Sequence, residues 1–213
     1  MRIFSYIITS DSGFSPNPFW GYCTLACCKP VIRRTAEKGD FVIGISPRNL
    51  GYKVVYVMKI TEDPVTFDEY FTDARFQAKI PDYRQRGSIH RRGDNIYKPI
   101  GNGEYRQLRS RHSLRTGAEN VETKKRDLSG ERVLISNQFS YFGREAMNLP
   151  DDLQCLIATR GHKCRFDESV QQQFLAFVKT LPNGVRGLPL IWPESEGGEG
   201  LVDTTREAPC DRG

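Results

Sequence analysis

The stretch GDFVIGISPRNLGYKVVYVMKITE, residues 39–62, decides the fold class of this chain. An apolar run over 41–45 follows a turn, and Gly51 opens a second run over 52–62 that is rich in β-branched residues. Runs of this composition, bounded by turn residues, favour strands that pair as a hairpin. The stretch therefore predicts two consecutive strands of a meander.

Further strands are predicted on both sides of this hairpin. The run RIFSYIIT at 2–9 and the run ERVLISNQFSYFG at 131–143 carry the same β-branched and aromatic signature. The short apolar segment 155–158 indicates another buried strand. The chain thus contains five or more short strands.

Capping residues predict two helices. Thr66 is followed three positions later by Glu69, which is the pattern of a capping box, and Asp167 is a second N-cap. The helix after Asp167 has one apolar face, formed by Val170, Phe174, Phe177 and Val178. Strands in runs, with few helices between them, favour an α+β fold: a small mixed or antiparallel β-barrel with two or more flanking helices.

The domain organisation follows from where apolar residues are dense. Residues 1–193 are predicted to form a single α+β domain, and residues 194–213 have too little to bury and are predicted to be a flexible tail. Within this domain, residues 79–127 lose periodicity, apart from DNIYKP at 94–99, which could be one short strand or an ordered crossing. This pattern predicts a long basic, irregular insertion. From Arg75 to Arg132 there are 15 lysines and arginines against 7 acidic residues. Such segregated charge is typical of proteins that bind polyanions, with a solvated mobile loop as the alternative.

Membrane and secreted classes are not favoured. No segment approaches the roughly 18 apolar residues of a membrane helix, and the N-terminal segment lacks a basic stretch followed by a long apolar one. The six cysteines are then expected to be reduced thiols in a cytoplasmic protein.

The loop GFSPNPFWGYCTLACCKP, residues 13–30, is the strongest candidate binding element. Its rings are candidates for stacking on a base: Phe14, Phe19, Trp20 and Tyr22. The alternative is that these rings only cover one open end of the barrel.

Polar and cationic residues supply the other candidate contacts with a nucleotide. The predicted base-edge group comprises Asn17, Asp94, Asn95 and Tyr97, with an Asx turn as the alternative for the Asp-Asn pair. The predicted phosphate contacts are Lys29, Arg33, Arg34, Arg91 and Arg92, with a solvated strand edge as the alternative.

Three clustered cysteines raise the question of catalysis. Cys23, Cys27 and Cys28 are candidate nucleophiles, with Asp94 as a candidate general base, although buried cysteines that only pack are more common. A composite metal site with His162 and Cys164 is disfavoured because the cluster lacks paired ligand spacing. No metal and no cofactor are therefore predicted.

The order of these motifs is similar to that of a known family. With NPFWGYCTLACCKP, GDNIY and VLIS..FSYFG, the chain resembles the second nucleotide-modification-associated domain family, over about Ile3 to Phe177. That family is found in bacteria and phages near genes for modified DNA bases. The layout GD.VIGI...YVMKIT is also similar to that of PUA-like barrels, which bind RNA or flipped bases in a cleft.

Three functions follow as hypotheses. The first is a module that binds a nucleotide or nucleic acid and recognises a modified base in DNA, in a base-modification or phage-defence context. The second is an enzyme that modifies a nucleotide through a cysteine nucleophile or Asp94. The third is a scaffold that contacts base-modification proteins.

Overall fold

The computed structural model describes residues 1–193, so the predicted tail over 194–213 lies outside the described residues. The strands are β1 (Ile3–Ile7), β2 (Cys23–Leu25), β3 (Phe41–Ile45), β4 (Val54–Lys59), β5 (Val65–Thr66), β6 (Tyr97–Gly101), β7 (Glu104–Gln107), β8 (Arg132–Ser136), β9 (Gln138–Tyr141), β10 (His162–Lys163) and β11 (Gly184–Val185). The α-helices are α1 (Pro30–Thr35), α2 (Phe67–Thr72), α3 (Val121–Leu128) and α4 (Glu168–Thr180).

The largest sheet has six strands in the order β10-β1-β3-β4-β9-β11. The predicted hairpin is confirmed, because β3 and β4 pair antiparallel with Phe41 opposite Lys59. β1 pairs parallel with β3, and β11 pairs parallel with β9, while the other neighbours are antiparallel. The sheet is therefore mixed.

Two smaller sheets complete the described strands: β2-β8-β5 and β6-β7. β8 and β9 are separated only by Asn137, yet they belong to different sheets. The hydroxyl of Ser136 donates a hydrogen bond of 2.8 Å to the carbonyl of Gln138 across this break. The segment 131–143, predicted to be a strand that runs into an aromatic turn, thus forms two strands, and the chain passes from one sheet to the other between them.

The large sheet is covered on both faces. On one face Tyr6 and Tyr56 meet with their hydroxyl oxygens 3.0 Å apart. On the other face α4 packs through Phe174, whose ring centroid lies 5.4 Å from that of Phe41. A third apolar cluster joins α2, β6 and β8 and includes Phe67, Tyr70, Phe76, Tyr97 and Ile135.

Both predicted helix starts are confirmed. The hydroxyl of Thr66 accepts from the backbone N–H of Glu69, and the Glu69 carboxylate accepts from the N–H of Thr66. The Asp167 carboxylate accepts from the N–H of Val170 at the start of α4. These local signals operate within three residues, which is why the sequence alone identifies them.

Other expectations are corrected. Segment 155–158 is not a strand, because a 3-10 helix runs over Asp151–Leu156. The short strand allowed for at 94–99 corresponds to β6, but the rest of the insertion over 79–127 is not irregular throughout, because it contains β7 and most of α3. The fold class is α+β; the largest of the described sheets is open, with edges at β10 and β11, so the PUA-like barrel is not confirmed. Among residues 1–193, no helix combines the length and the apolar character that crossing a bilayer requires.

Candidate active site

A pocket of about 460 Å³ opens where the end of β1 meets the start of α1 and the basic stretch. Side chains from four segments that are distant in sequence converge on it. Its lining consists of Tyr6, Ile7, Ile8, Thr9, Ser10, Ser12, Phe14, Ser15, Cys28, Lys29, Arg111, His112 and Arg126.

Cys28 reaches this pocket from an unusual backbone conformation. Cys28 and Lys29 have φ of 59° and 40°, so two successive non-glycine residues are left-handed. Each such residue costs about 1–3 kcal/mol and persists only where its surroundings hold it. Here the N–H of Cys28 donates to Asp127 Oδ1 over 2.8 Å, and the Cys28 carbonyl accepts from Arg33 Nε over 2.8 Å. The nucleophile candidate is thus fixed on both sides of its own residue.

His112 and Asp127 extend from the sulfur of Cys28 as a hydrogen-bonded chain. Cys28 Sγ lies 3.4 Å from His112 Nε2, and His112 Nδ1 lies 2.5 Å from Asp127 Oδ2. The ring of Phe14 packs on the imidazole with a centroid distance of 4.8 Å. Thiol, imidazole and carboxylate therefore have the order and contacts of a nucleophile, a base and an orienting acid.

The charges of this chain follow from its hydrogen bonds. Burial lowers the pKa of His112, but the hydrogen bonds and charges of Asp127 and Cys28 outweigh burial and raise that pKa to about 9. Burial raises the pKa of Asp127, and the bonds it accepts, above all from His112, outweigh burial and leave that pKa below its ordinary value. At neutral pH the pair is an imidazolium beside a carboxylate.

A further layer orients Asp127. The hydroxyl of Tyr97 donates to Asp127 Oδ2 over 2.8 Å, and Gln107 Nε2 donates to the Tyr97 oxygen over 3.3 Å. Burial raises the pKa of Tyr97 above its ordinary value, so the phenol stays neutral and keeps its proton for this bond. Gln107 Nε2 also lies 3.4 Å from the carbonyl of His112. Gln107 thus contacts both the tyrosine that orients Asp127 and the backbone of His112.

The other two clustered cysteines face the interior. Cys27 is fully buried, and its Sγ lies 3.6 Å from the carbonyl of Asp94. Cys23 is fully buried with its Sγ 3.9 Å from the sulfur of Met58. Burial raises the pKa of both thiols, which favours the neutral, unreactive form. Among the three predicted nucleophiles, only Cys28 lines the pocket.

A metal is a second use that these groups allow. Ligand atoms of Cys27, His112 and Asp127 all lie within 4.8 Å of one another. A structural zinc site has four ligands, and a cysteine among them binds as a thiolate. Burial keeps the Cys27 thiol protonated, and both Asp127 oxygens already accept hydrogen bonds. His162 and Cys164 line a different hollow. The donor set fits the hydrogen-bonded chain better than a metal site.

The predicted base-edge group lies in the interior. Asp94 has no exposed surface, and its carboxylate accepts from the hydroxyls of Tyr70 and Thr24 at 2.7 and 2.8 Å. Burial raises its pKa above the ordinary value. Asn17 and Asn95 are also buried, and their amides donate to backbone carbonyls. These side chains join the 13–30 loop to residues 94–97 inside the protein and do not line the pocket.

The aromatic residues of the loop separate into different environments. Phe14 and Phe19 are buried, and Phe19 packs on Trp192 with ring centroids 5.9 Å apart. Tyr22 is half-buried against Phe76, and Trp20 lines a second hollow of about 560 Å³. Tyr97 is buried under Asp127. Of the loop rings, only Phe14 belongs to the pocket of Cys28.

The predicted phosphate contacts also lie in different places, and only one of them lines the pocket. Arg33 has no exposed surface and donates to the carbonyls of Cys28, Arg132 and Asp127. Arg92 is buried beside Trp192, with its guanidinium carbon 4.6 Å from the ring centroid, and donates to the carbonyl of Ser12. Arg34 and Arg91 are exposed away from the pocket lining. Lys29 alone of the five lines the pocket.

Four residues that sequence reasoning did not select belong to this site: Arg111, His112, Arg126 and Asp127. One local signal was present: Asn120 is an N-cap whose side chain accepts from the N–H of Thr123, which marks the start of α3. That helix carries Arg126 and Asp127.

A comparison with known families and proteins gives one match. A family model described as nucleotide modification associated domain 2 matches residues 1–196. No curated protein and no solved structure matches the chain.

Proposed function

The chain belongs to the nucleotide modification associated domain 2 family, and we propose that it is a thiol-dependent enzyme that transfers an acyl-type group to or from a nucleotide. Cys28 is the nucleophile, His112 the general acid and base, and Asp127 the group that orients His112. The proposal rests above all on one observation: the continuous contacts from Cys28 Sγ through His112 to Asp127 at the wall of a pocket.

The reactive state is a Cys28 thiolate beside the His112 imidazolium. The thiol gives its proton to solvent, His112 Nδ1–H stays bonded to Asp127, and the adjacent positive charge stabilises the thiolate. The thiolate attacks a carbonyl carbon of the substrate, forms a C–S bond and moves the carbonyl electron pair to oxygen. Collapse of this intermediate breaks the bond to the leaving group, which takes the proton from His112 Nε2 and leaves a thioester.

The second half releases the acyl group. Water or an amine attacks the thioester and loses a proton to the now neutral His112 Nε2. The C–S bond breaks, the sulfur leaves as thiolate, and the imidazolium beside it is restored. Atoms and charges balance without an oxidant or a reductant.

A binding function is the second candidate, in which the chain recognises a modified base in DNA together with base-modification proteins. The half-buried Trp20, in a hollow with Arg84, favours it, because an indole face beside a guanidinium group suits base stacking. The interior position of Asn17, Asp94 and Asn95 counts against them as groups that contact the base.

Thiol reactivity tests the enzyme proposal. The probe is p-nitrophenyl acetate, whose acetyl group should appear on Cys28 as a thioester detected by peptide mass spectrometry. We expect Cys28 to react faster than Cys155, an exposed cysteine of the same chain, and His112→Gln to slow Cys28 but not Cys155. His162→Gln is the matched control. Equal rates at Cys28 and Cys155, or no effect of His112→Gln, would refute the enzyme.

A further inference from the structure

The cationic side chains of the pocket lack carboxylate partners in the described part of the chain, and the proposed chemistry does not use their charges. Lys29, Arg111 and Arg126 line the pocket, and none of the three forms an ion pair with a carboxylate of residues 1–193. No aspartate or glutamate belongs to the lining. The pocket therefore presents three positive charges without a protein counter-charge.

This contrasts with other cations of the basic stretch. Arg75, Arg84, Lys124 and Arg132 each form an ion pair with a carboxylate, at distances from 2.7 to 3.1 Å. Lys79 is buried and donates to carbonyl oxygens of the 17–22 loop. The surplus charge of the stretch is thus partly neutralised, while the cations at the pocket are not.

The carboxylate that pairs with His112 does not neutralise them. Asp127 lies behind His112 with no exposed side-chain surface, and at neutral pH it is paired with the imidazolium. Unpaired like charges around a concave surface attract and concentrate anions. The electrostatics of the pocket thus call for an anionic ligand group.

We infer that Lys29, Arg111 and Arg126 form a subsite for the phosphate of a free mononucleotide, which places the substrate's acyl-bearing part at Cys28. This inference rests on the proposed function for its acyl step only. Two guanidinium groups suit a phosphate monoester because they offer paired donors in a planar array, and a lysine adds a point charge.

The rest of the pocket suits the remainder of a mononucleotide. Tyr6 and Phe14 give apolar ring surface, while Thr9 and Ser10 add exposed hydroxyl groups at the end of β1. Lys29 is held beside Tyr6, with Nζ 4.2 Å from the ring centroid. A volume of about 460 Å³ is in the range of small-molecule sites. A small ligand with one phosphate is therefore a better match than a polymer.

Binding measurements test this without any turnover. The probes are 5′-nucleoside monophosphates and the corresponding nucleosides, titrated by calorimetry against Cys28→Ser protein so that no reaction intervenes. We expect the monophosphate to bind at least tenfold more tightly than the nucleoside, and inorganic phosphate to compete. Arg111→Gln and Arg126→Gln should each weaken monophosphate binding about tenfold, the worth of one charged hydrogen bond. Arg115→Gln, an exposed arginine outside the lining, is the matched control.

Three outcomes would overturn the subsite. These are equal binding of nucleoside and monophosphate, equal effects of Arg115→Gln and Arg126→Gln, or tighter binding of a single-stranded oligonucleotide than of any mononucleotide. The enzyme proposal is tested by a different measurement, the acetylation of Cys28, so its failure can be distinguished from failure of the subsite. Loss of phosphate binding in the arginine variants together with an unreactive Cys28 would refute the enzyme and keep the subsite.

Discussion

Arg33 binds the carbonyl oxygen of Cys28 from a position with no exposed surface, its Nε donating over 2.8 Å. The same guanidinium donates to the carbonyls of Asp127 and Arg132. One buried cation thus connects the main chain at Cys28 to the main chain at Asp127, 99 residues apart in sequence. It holds the two in register without touching the pocket.

Replacing Arg33 by methionine should destabilise the protein by about 3 kcal/mol or more, since the carbonyls of Cys28, Asp127 and Arg132 would each lose a charged donor. Urea unfolding measures the change. Arg34→Met is the control, because Arg34 is exposed and donates to a single carbonyl, that of Ser129. A loss under about 1 kcal/mol for Arg33→Met would show that water replaces the guanidinium at little cost.

Asp127→Asn should lower the pKa of His112 from about 9 toward its ordinary value of 6.5. The physical reason is the loss of the carboxylate charge bonded to Nδ1, while burial continues to disfavour the imidazolium. An NMR titration of the His112 ring measures it. Asp152→Asn, on the exposed 3-10 helix, is the matched control. An unshifted His112 in Asp127→Asn would show that this contact does not set the protonation state.

The raised pKa of His112 also predicts a pH dependence of stability. The folded value of about 9 exceeds the ordinary 6.5, so the stabilisation is fully present below about pH 6.5 and is lost as pH rises through about 9. The free energy of unfolding of the wild type should therefore fall relative to that of His112→Gln between pH 7 and 9.5. Lys79, whose pKa burial lowers to about 8, acts with the opposite sign in both proteins and cancels in the difference. Parallel pH curves would contradict the prediction.

Lys79→Met should loosen the 17–22 loop. The Lys79 ammonium donates to the carbonyls of Asn17, Phe19 and Tyr22 at 3.2, 2.9 and 2.9 Å. The variant removes this donor from all three oxygens, of which that of Asn17 keeps the N–H of Thr24. Hydrogen exchange should show lost protection over 17–22, with α4 unchanged. Lys98→Met, at an exposed site, serves as the control. Retained protection would mean that the loop is held by its other contacts.

Gly93→Ala should destabilise the protein although Gly93 has an ordinary backbone conformation. A Cβ there would lie 1.9 Å from the carbonyl oxygen of Lys79, which is a backbone atom and cannot rotate away. That oxygen accepts from the N–H of Asn95 over 3.0 Å, so relief of the clash breaks this contact. We expect a loss of about 1–3 kcal/mol, against little change for Ala78→Ser at an exposed site. Unchanged thermal unfolding would disprove the close contact.

The parts of the fold that the sequence predicts are those with local signals. The hairpin of β3 and β4 and the caps at Thr66 and Asp167 each depend on neighbouring residues. The two edge strands, β10 and β11, have two residues each, which is too short for a periodic pattern. The polar residues Ser136, Asn137 and Gln138 are compatible with a turn, but they do not indicate that β8 and β9 pair in different sheets.

The site was only partly predictable for a related reason. Cys27 and Cys28 are adjacent, and composition cannot tell which thiol faces the core. His112 is 84 residues from Cys28 and lies in a stretch without periodicity, so nothing local relates the two. Asp94 and Asn95 have the right chemistry for a base edge, but tertiary hydrogen bonds with Tyr70 and Thr24 use it inside the protein.

The strand order of the large sheet has a consequence for synthesis. Its outermost strands, β10 and β11, come from residues 162–185, whereas the four inner strands are complete by residue 141. A nascent chain that has emerged only to residue 141 therefore exposes the whole unpaired backbone edge of β1 on one side and of β9 on the other. Open strand edges of this kind pair with other chains. Ribosome-stalled or truncated chains that end before residue 162 should accordingly associate with one another, and emergence of residues 162–185 reduces that hazard because β10 and β11 pair with part of each edge.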